Sequence, residues 1–192
     1  DNQVITARSM DWKSDVETNL WVFPKGMQRQ GMAGQNSITW TSKYGSVIAS
    51  GYDISTTDGM NEKGLVANVL WLVESEYPKY DGKSPGFATG EKGLTISAWA
   101  QYVLDNYATV NEAVKALHKT PFTLVTEHVP GENRLATLHL SISDAGCDSA
   151  IVEYIDGQQV IHHSRNYQVM TNSPTFDQQL TLNSYWEQIG GL

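Results

Sequence analysis

Leu135-Ala-Thr-Leu-His-Leu-Ser-Ile-Ser143 alternates apolar and polar side chains, the period of a strand with one buried face. Ser149 to Ile155 reads as a second strand. Asp156-Gly157 follows as a two-residue hairpin signal, with Gln159 to His163 returning. The C-terminal third is therefore antiparallel sheet. Working backwards, Ile96, Trp99, Ala100, Val103, Leu104 and Tyr107 share one apolar helical face. Thr109-Val-Asn-Glu112 is a capping box that starts a second helix through Val114 and Leu117, stopped before Pro121. Leu65 to Val73 is a nearly continuous apolar run, which suits a strand buried on both faces. Further upstream, Gln3 to Trp12, Asn19 to Phe23, Ser37 to Trp40 and Ser46 to Ser50 read as strands, and Gly51 to Gly59 as a turn-rich loop. Downstream, Gln168 to Thr171 reads as a short strand and Phe176 to Ile189 as a helix. Strands, then helices, then antiparallel strands predict an α+β fold rather than alternating βαβ units. No repeat interrupts this order, so residues 1–192 are expected to form a single domain. Residues 74–93 are a long loop, either a surface excursion or a functional one.

Composition narrows the function. The chain has 192 residues and a formal charge of -8, with 13 Lys plus Arg against 21 Asp plus Glu. That balance argues against a nucleic-acid partner, which would want a basic face. No stretch approaches the roughly 20 apolar residues of a membrane span. The only cysteine is Cys147, so neither a disulfide framework nor a cysteine-rich zinc site is expected. Histidines 118, 128, 139, 162 and 163 show no metal-ligand spacing, and no cofactor is expected.

Several polar residues sit where chemistry is possible. Arg8 and Asp11 close the first strand; they are an ordinary surface ion pair or, with a bend, partners in one pocket. Asp58-Gly-Met-Asn-Glu-Lys-Gly-Leu65 is a turn into the buried strand, with Asp and Asn bonding their own backbone. Asn172 lies between a strand and a helix, either capping a turn or aiming its amide into a cleft as an oxyanion donor. Cys147, between Asp144 and Asp148, reads as hairpin-turn chemistry, because neighbouring carboxylates oppose a thiolate. Trp99 and Trp186 belong to helix faces and are expected in the core. Trp12 and Trp71 stand at strand ends, as core or as the wall of a ligand pocket.

Arg8-Ser-Met-Asp-Trp12, Asp58-Gly-Met-Asn-Glu-Lys-Gly-Leu65 and Met170-Thr-Asn-Ser-Pro-Thr-Phe-Asp177 occur in this order. Together with Asn68-Val-Leu-Trp71 and Leu135-Ala-Thr-Leu-His-Leu140, they resemble the choloylglycine hydrolase family of bile salt hydrolases and penicillin V acylases. The tryptophans at 12 and 71 resemble most the penicillin V acylase branch of Gram-negative bacteria. The resemblance implies an N-terminal nucleophile hydrolase, a four-layer αββα sandwich. It implies a cysteine nucleophile at the mature N-terminus, with its own α-amino group as base. That cysteine is expected upstream of Asp1, and a further family arginine beyond Leu192. The fold is thus expected to be incomplete at both ends, and the 192 residues alone inactive.

Carried over by position, Arg8 matches the arginine beside the nucleophile, Asp11 the aspartate that holds the α-amino group, and Asn172 the oxyanion asparagine. Trp71 stands where bile salt hydrolases carry a second oxyanion asparagine, which leaves its backbone N–H as the alternative donor. Trp12 and Trp71 would line the acyl pocket. The implied reaction is hydrolysis of a linear, non-peptide carbon–nitrogen amide bond. Its substrate would be a penicillin V-like phenoxyacetyl amide, a conjugated bile salt or an N-acyl homoserine lactone. A periplasmic location, a homotetramer and no cofactor belong to the same implication. Two other readings stay open: a non-catalytic relative that binds small amphiphiles, and an interaction domain with Asp-rich turns.

Overall fold

The computed structural model describes residues 3–80, 92–119 and 121–190. Seven strands form one sheet: β1 (Leu20–Phe23), β4 (Ser46–Gly51), β5 (Ser55–Asn61), β6 (Val66–Trp71), β9 (Leu138–Ser143), β10 (Ser149–Ile155) and β11 (Gln158–His163). They stand in that spatial order, every neighbouring pair antiparallel. Two short pairs flank it. β2 (Gln28–Gln30) pairs with β3 (Thr39–Thr41), and β7 (Gly93–Thr95) lies parallel to β8 (Thr123–Val125). The helices are α1 (Ile96–Asn106), α2 (Val110–Leu117) and α3 (Phe176–Ile189). The α+β class read from the sequence is the one found.

Strand alternation decides what each face of the sheet carries. Ile48, Gly59, Ala67, Ile142 and Ala150 stand opposite one another across five strands and face α1. Trp99, Val103 and Leu104 of α1 are fully buried against that row. Gly59 permits the close approach: a Cβ there would lie 2.6 Å from Ile48 Cγ2 and 2.7 Å from Leu104 Cδ1. The Thr109 hydroxyl accepts from the Glu112 N–H at 3.2 Å, as the capping signal predicts. The reciprocal bond is displaced by one residue, with Glu112 Oε2 accepting from the Ala108 N–H at 2.8 Å. Asp144 Oδ2 accepts the Val110 N–H at 2.9 Å, which ties the β9–β10 turn to the start of α2.

The opposite face of the sheet carries Asp58, Asn68, Ser141, Ser143 and Ile151. The N-terminal segment and residues 167–172 border the hollow over this face. Of the four layers the resemblance implies, the described residues supply this large sheet and one helix layer.

Four local expectations are corrected. Gln3 to Trp12 is not a strand: it carries no ladder and is held by side chains. Gly51 to Gly59 is not all loop, because β5 begins at Ser55. Its polar composition hid it: Asp58 and Asn68 satisfy each other across the β5–β6 pair, so neither needs a turn. Gln168 to Thr171 is irregular, and the Thr171 N–H goes to the Gln179 side chain at 3.0 Å instead of a strand. Trp186 is not core. It is 61% exposed, because α3 buries only Phe176. Strands β2, β7 and β8 are too short to carry a readable period. The centre of the 74–93 loop, residues 81–91, lies outside the described residues.

Candidate active site

The site begins with a side-chain pair that the β5–β6 register creates. Asp58 stands opposite Asn68, and Asn68 Nδ2 donates to Asp58 Oδ1 at 2.8 Å. The other carboxylate oxygen receives Arg8 Nη1. Arg8 Nη2 donates to the Val69 carbonyl at 2.9 Å. The guanidinium is therefore pinned at two points, while its buried Nε has no hydrogen-bond partner among the described residues. Thr6 Oγ1 and Ser143 Oγ lie 2.9 Å apart, and Trp12 Nε1 donates to the Tyr52 hydroxyl at 2.8 Å. These contacts lay an unpaired segment across the sheet with its side chains fixed.

A cavity of about 740 Å³ opens beside this segment. Arg8, Asp11, Trp12, Trp71 and Asn172, the five residues singled out in the sequence, all line it. The expected choice between a surface ion pair and a shared pocket for Arg8 and Asp11 resolves to the pocket. The ion pair itself is with Asp58, and Asp11 is exposed.

Asn172 is exposed, and its backbone is held from α3. Gln179 Nε2 donates to the carbonyls of Asn172 at 2.8 Å and Pro174 at 2.6 Å. Next door, the Val73 N–H donates to Ser173 Oγ at 3.0 Å, and that hydroxyl donates to Glu74 Oε2 at 2.7 Å. The loop that presents Asn172 is thus clamped to both α3 and the end of β6.

Trp12 and Trp71 meet with ring centroids 5.3 Å apart at 47°. Below them the backbone of β6 has one relevant orientation. The Leu72 N–H points toward β9, donating to the Thr137 carbonyl at 2.9 Å. The Trp71 N–H, one residue earlier, therefore points to the opposite edge, the edge on which the Val69 carbonyl receives Arg8. Trp71 and Asn172 thus line one cavity together with Arg8. Such a set suits a reaction that builds negative charge on a carbonyl oxygen.

Cys147 sits at φ 58° in the Asp144–Asp148 turn, exposed at the edge of the cavity. Its N–H donates to the Asp144 carbonyl at 3.1 Å, as hairpin-turn chemistry requires. Among the described residues no group of three or more His, Cys, Asp or Glu could hold a metal ion. No described helix is long and apolar enough to cross a membrane.

Sequence reasoning missed Asp58, Asn68 and Gln179. Asp58 was legible only as a turn former and Asn68 only as a polar residue within an apolar strand, and their role depends on strand register. Gln179 carried no signal, since a glutamine in the first turns of a helix is ordinary.

Known proteins resemble this chain along nearly its whole length. The family model of linear amide C–N hydrolases, choloylglycine hydrolase family, matches residues 1–190. A penicillin V acylase of Pectobacterium atrosepticum is 68% identical over 97% of this chain and 50% of its own length. A bile salt hydrolase/transferase of Clostridium perfringens is 29% identical over 93% of this chain and 52% of its own. Among solved structures, a penicillin V acylase from Agrobacterium tumefaciens superposes with a TM-score of 0.85 at 72% identity, covering 96% of this chain and 53% of that one. A conjugated bile acid hydrolase variant from Clostridium perfringens gives a TM-score of 0.72 at 29% identity, covering 92% and 52%. The chain thus spans about half the length of the relatives it matches.

Proposed function

The chain belongs to the choloylglycine hydrolase family of linear amide C–N hydrolases, and from that premise we propose that its parent protein is a penicillin V acylase-like amidase. One observation carries the proposal. Arg8 and Asp11 of the N-terminal segment and Asn172, far along the chain, border one cavity whose wall holds two indoles in contact.

In the proposed reaction, the α-amino group of an N-terminal cysteine takes the thiol proton. The sulfur then attacks the amide carbonyl carbon. Arg8 favours the thiolate, since a nearby cation lowers thiol pKa. Asp11 accepts from the α-amino group and orients it. Asn172 and the Trp71 N–H donate to the oxyanion. The carbon–nitrogen bond breaks as the proton passes from the α-ammonium to the leaving amine. Water, deprotonated by the regenerated α-amino group, then cleaves the thioester to release the acid, and the proton returns to the sulfur to restore the thiol. Trp12 and Trp71 receive the acyl group.

Two features favour a phenoxyacetyl substrate over a conjugated steroid. The paired indoles are tilted flat surfaces suited to one aromatic ring. The chain is also 68% identical to a protein named penicillin V acylase and 29% identical to one named bile salt hydrolase/transferase. The test is hydrolysis of penicillin V by the full-length mature protein. Release of 6-aminopenicillanic acid is expected. Cleavage of conjugated bile salts or N-acyl homoserine lactones without it would overturn the substrate assignment. A periplasmic location and a homotetramer complete the proposal, to be checked by cell fractionation and light scattering.

A further inference from the structure

Behind the two indoles lies an arginine that the proposed reaction does not use. Arg134 Cζ is 5.1 Å from the ring centroid of Trp12 and 4.5 Å from that of Trp71. Both indoles line the cavity, whereas Arg134 does not border it. The Arg134 Nε donates to Glu132 Oε2 at 2.6 Å, and Lys13 Nζ reaches Glu132 Oε1 at 3.1 Å. Lys13 follows Trp12 directly, so one carboxylate joins the arginine to the segment that carries the first indole. The turn closes on itself, the Val129 N–H donating to the Arg134 carbonyl at 3.0 Å.

Resting on the reading of Trp12 and Trp71 as the acyl wall, we propose that Arg134 is a positioning residue that sets acyl specificity toward flat, electron-rich aromatic groups. Two effects combine. A guanidinium touching both rings holds their mutual tilt, and a wall of fixed tilt fits a rigid aryl group but offers no advantage to a flexible alkyl chain. A cation at one side of a ring also draws its π density. The indole then presents a less electron-rich surface to the cavity, which stacks better with an aryl ether ring. Arg134 touches no substrate; it acts through the indoles.

The test uses the full-length mature protein and its Arg134→Ala and Arg134→Lys variants. Two substrates share one leaving amine, penicillin V and the 6-hexanamido analogue of the same nucleus. Two neutral fragments, phenoxyacetamide and hexanamide, are titrated by indole fluorescence, which needs no turnover. Arg134→Ala is expected to raise KM for penicillin V by about threefold to tenfold with kcat within about twofold, and to leave KM for the hexanoyl analogue within about twofold. The same split is expected in the Kd values of the two amides, with Arg134→Lys between wild type and Ala. Equal weakening of both acyl classes, or no weakening of either, would overturn the proposal. If the wild-type protein hydrolyses penicillin V and Arg134→Ala shows no split, this inference alone fails. If it hydrolyses neither substrate but the amide affinities split as expected, the acylase reading fails and this one stands. Hydrolysis of neither substrate together with binding of neither amide overturns both.

Discussion

Arg8 is paired with Asp58, fifty residues further along the chain, and not with its near neighbour Asp11. The pair replaces a strand ladder: it is how an irregular segment is fixed to a regular sheet. Asp58→Asn keeps the shape and removes the counter-charge. In the full-length protein, kcat/KM for penicillin V is expected to fall at least about tenfold, because Arg8 would swing away from the nucleophile. Stability is expected to fall by only about 1–2 kcal/mol, since both side chains are partly exposed. Steady-state kinetics beside urea unfolding separates the two, and unchanged kinetics would remove Asp58 from the site.

Asn172→Ala tests the oxyanion role directly. The residue is exposed, so its loss is expected to change stability by less than about 0.5 kcal/mol. Loss of one oxyanion donor is expected to lower kcat by about 10²–10³. Gln179→Ala leaves Asn172 in place but frees its backbone from α3. A smaller loss of kcat is expected there, and single-turnover kinetics on both variants would rank them. A Gln179→Ala variant as slow as Asn172→Ala would mean that the loop, rather than the amide, does the work.

A third expectation concerns acid. Glu153 is 1% exposed and carries His139 Nδ1 at 3.1 Å, His162 Nε2 at 3.2 Å and the Phe176 N–H at 3.0 Å. Burial pushes its carboxyl up, but these donors outweigh burial and hold it at about 2, below its ordinary 4.5. A depressed carboxylate stabilises the fold above the unfolded-state value, and that contribution is lost as pH falls through the folded-state value. The melting temperature is therefore expected to decline between pH 4.5 and about 2, with the start of α3 loosening. Glu153→Gln should flatten that decline and cost about 2 kcal/mol at neutral pH. Calorimetry across this range is the check; an unchanged slope in the variant would assign the acid response to other groups.

Gly59 supplies a steric test. A methyl group there would meet Ile48 and Leu104 side chains at 2.6 and 2.7 Å, and the Val47 carbonyl at 3.0 Å. Gly59→Ala is expected to destabilise by about 1–3 kcal/mol, because α1 must back away from the sheet. Neutral or stabilising behaviour in urea unfolding would show that the sheet yields more easily than its packing implies.

Legibility followed the length of the pattern. The bounds of α3 were readable from 176 to 189, yet its burial was not, since Trp186 and Tyr185 lie exposed on it. Periodicity says which side chains align, not whether anything covers them. α1, α2 and the β10–β11 hairpin followed from strong local signals, an apolar stripe, a capping box and Asp156-Gly157. β5 did not, because Asp58 and Gly59 are turn formers by composition. Only the strands beside them, Ile48 on one and Asn68 on the other, make both residues suitable. Arg8, Asp11, Trp12, Trp71 and Asn172 stood out by position with their readings open, a motif resemblance implied their roles, and their convergence on one cavity is a tertiary fact. Arg134 carried no motif and became visible only through its distance to two rings.

The ladder between β6 and β9 joins residues 66–71 to residues 138–143, with both α1 and α2 in the intervening chain. β4, β5 and β6 on one side and β9, β10 and β11 on the other are hairpin neighbours that can close early, whereas the ladder between them must close a long loop. The cavity draws its walls from both sides of that seam: Arg8 and Trp71 from one, Ser141 and Asn172 from the other. Until the seam zips, the cavity has only part of its walls. If the protein is the proposed amidase, acquisition of activity during refolding should therefore trail the appearance of hairpin structure, because the step that joins the two halves of the sheet is also the one that completes the cavity.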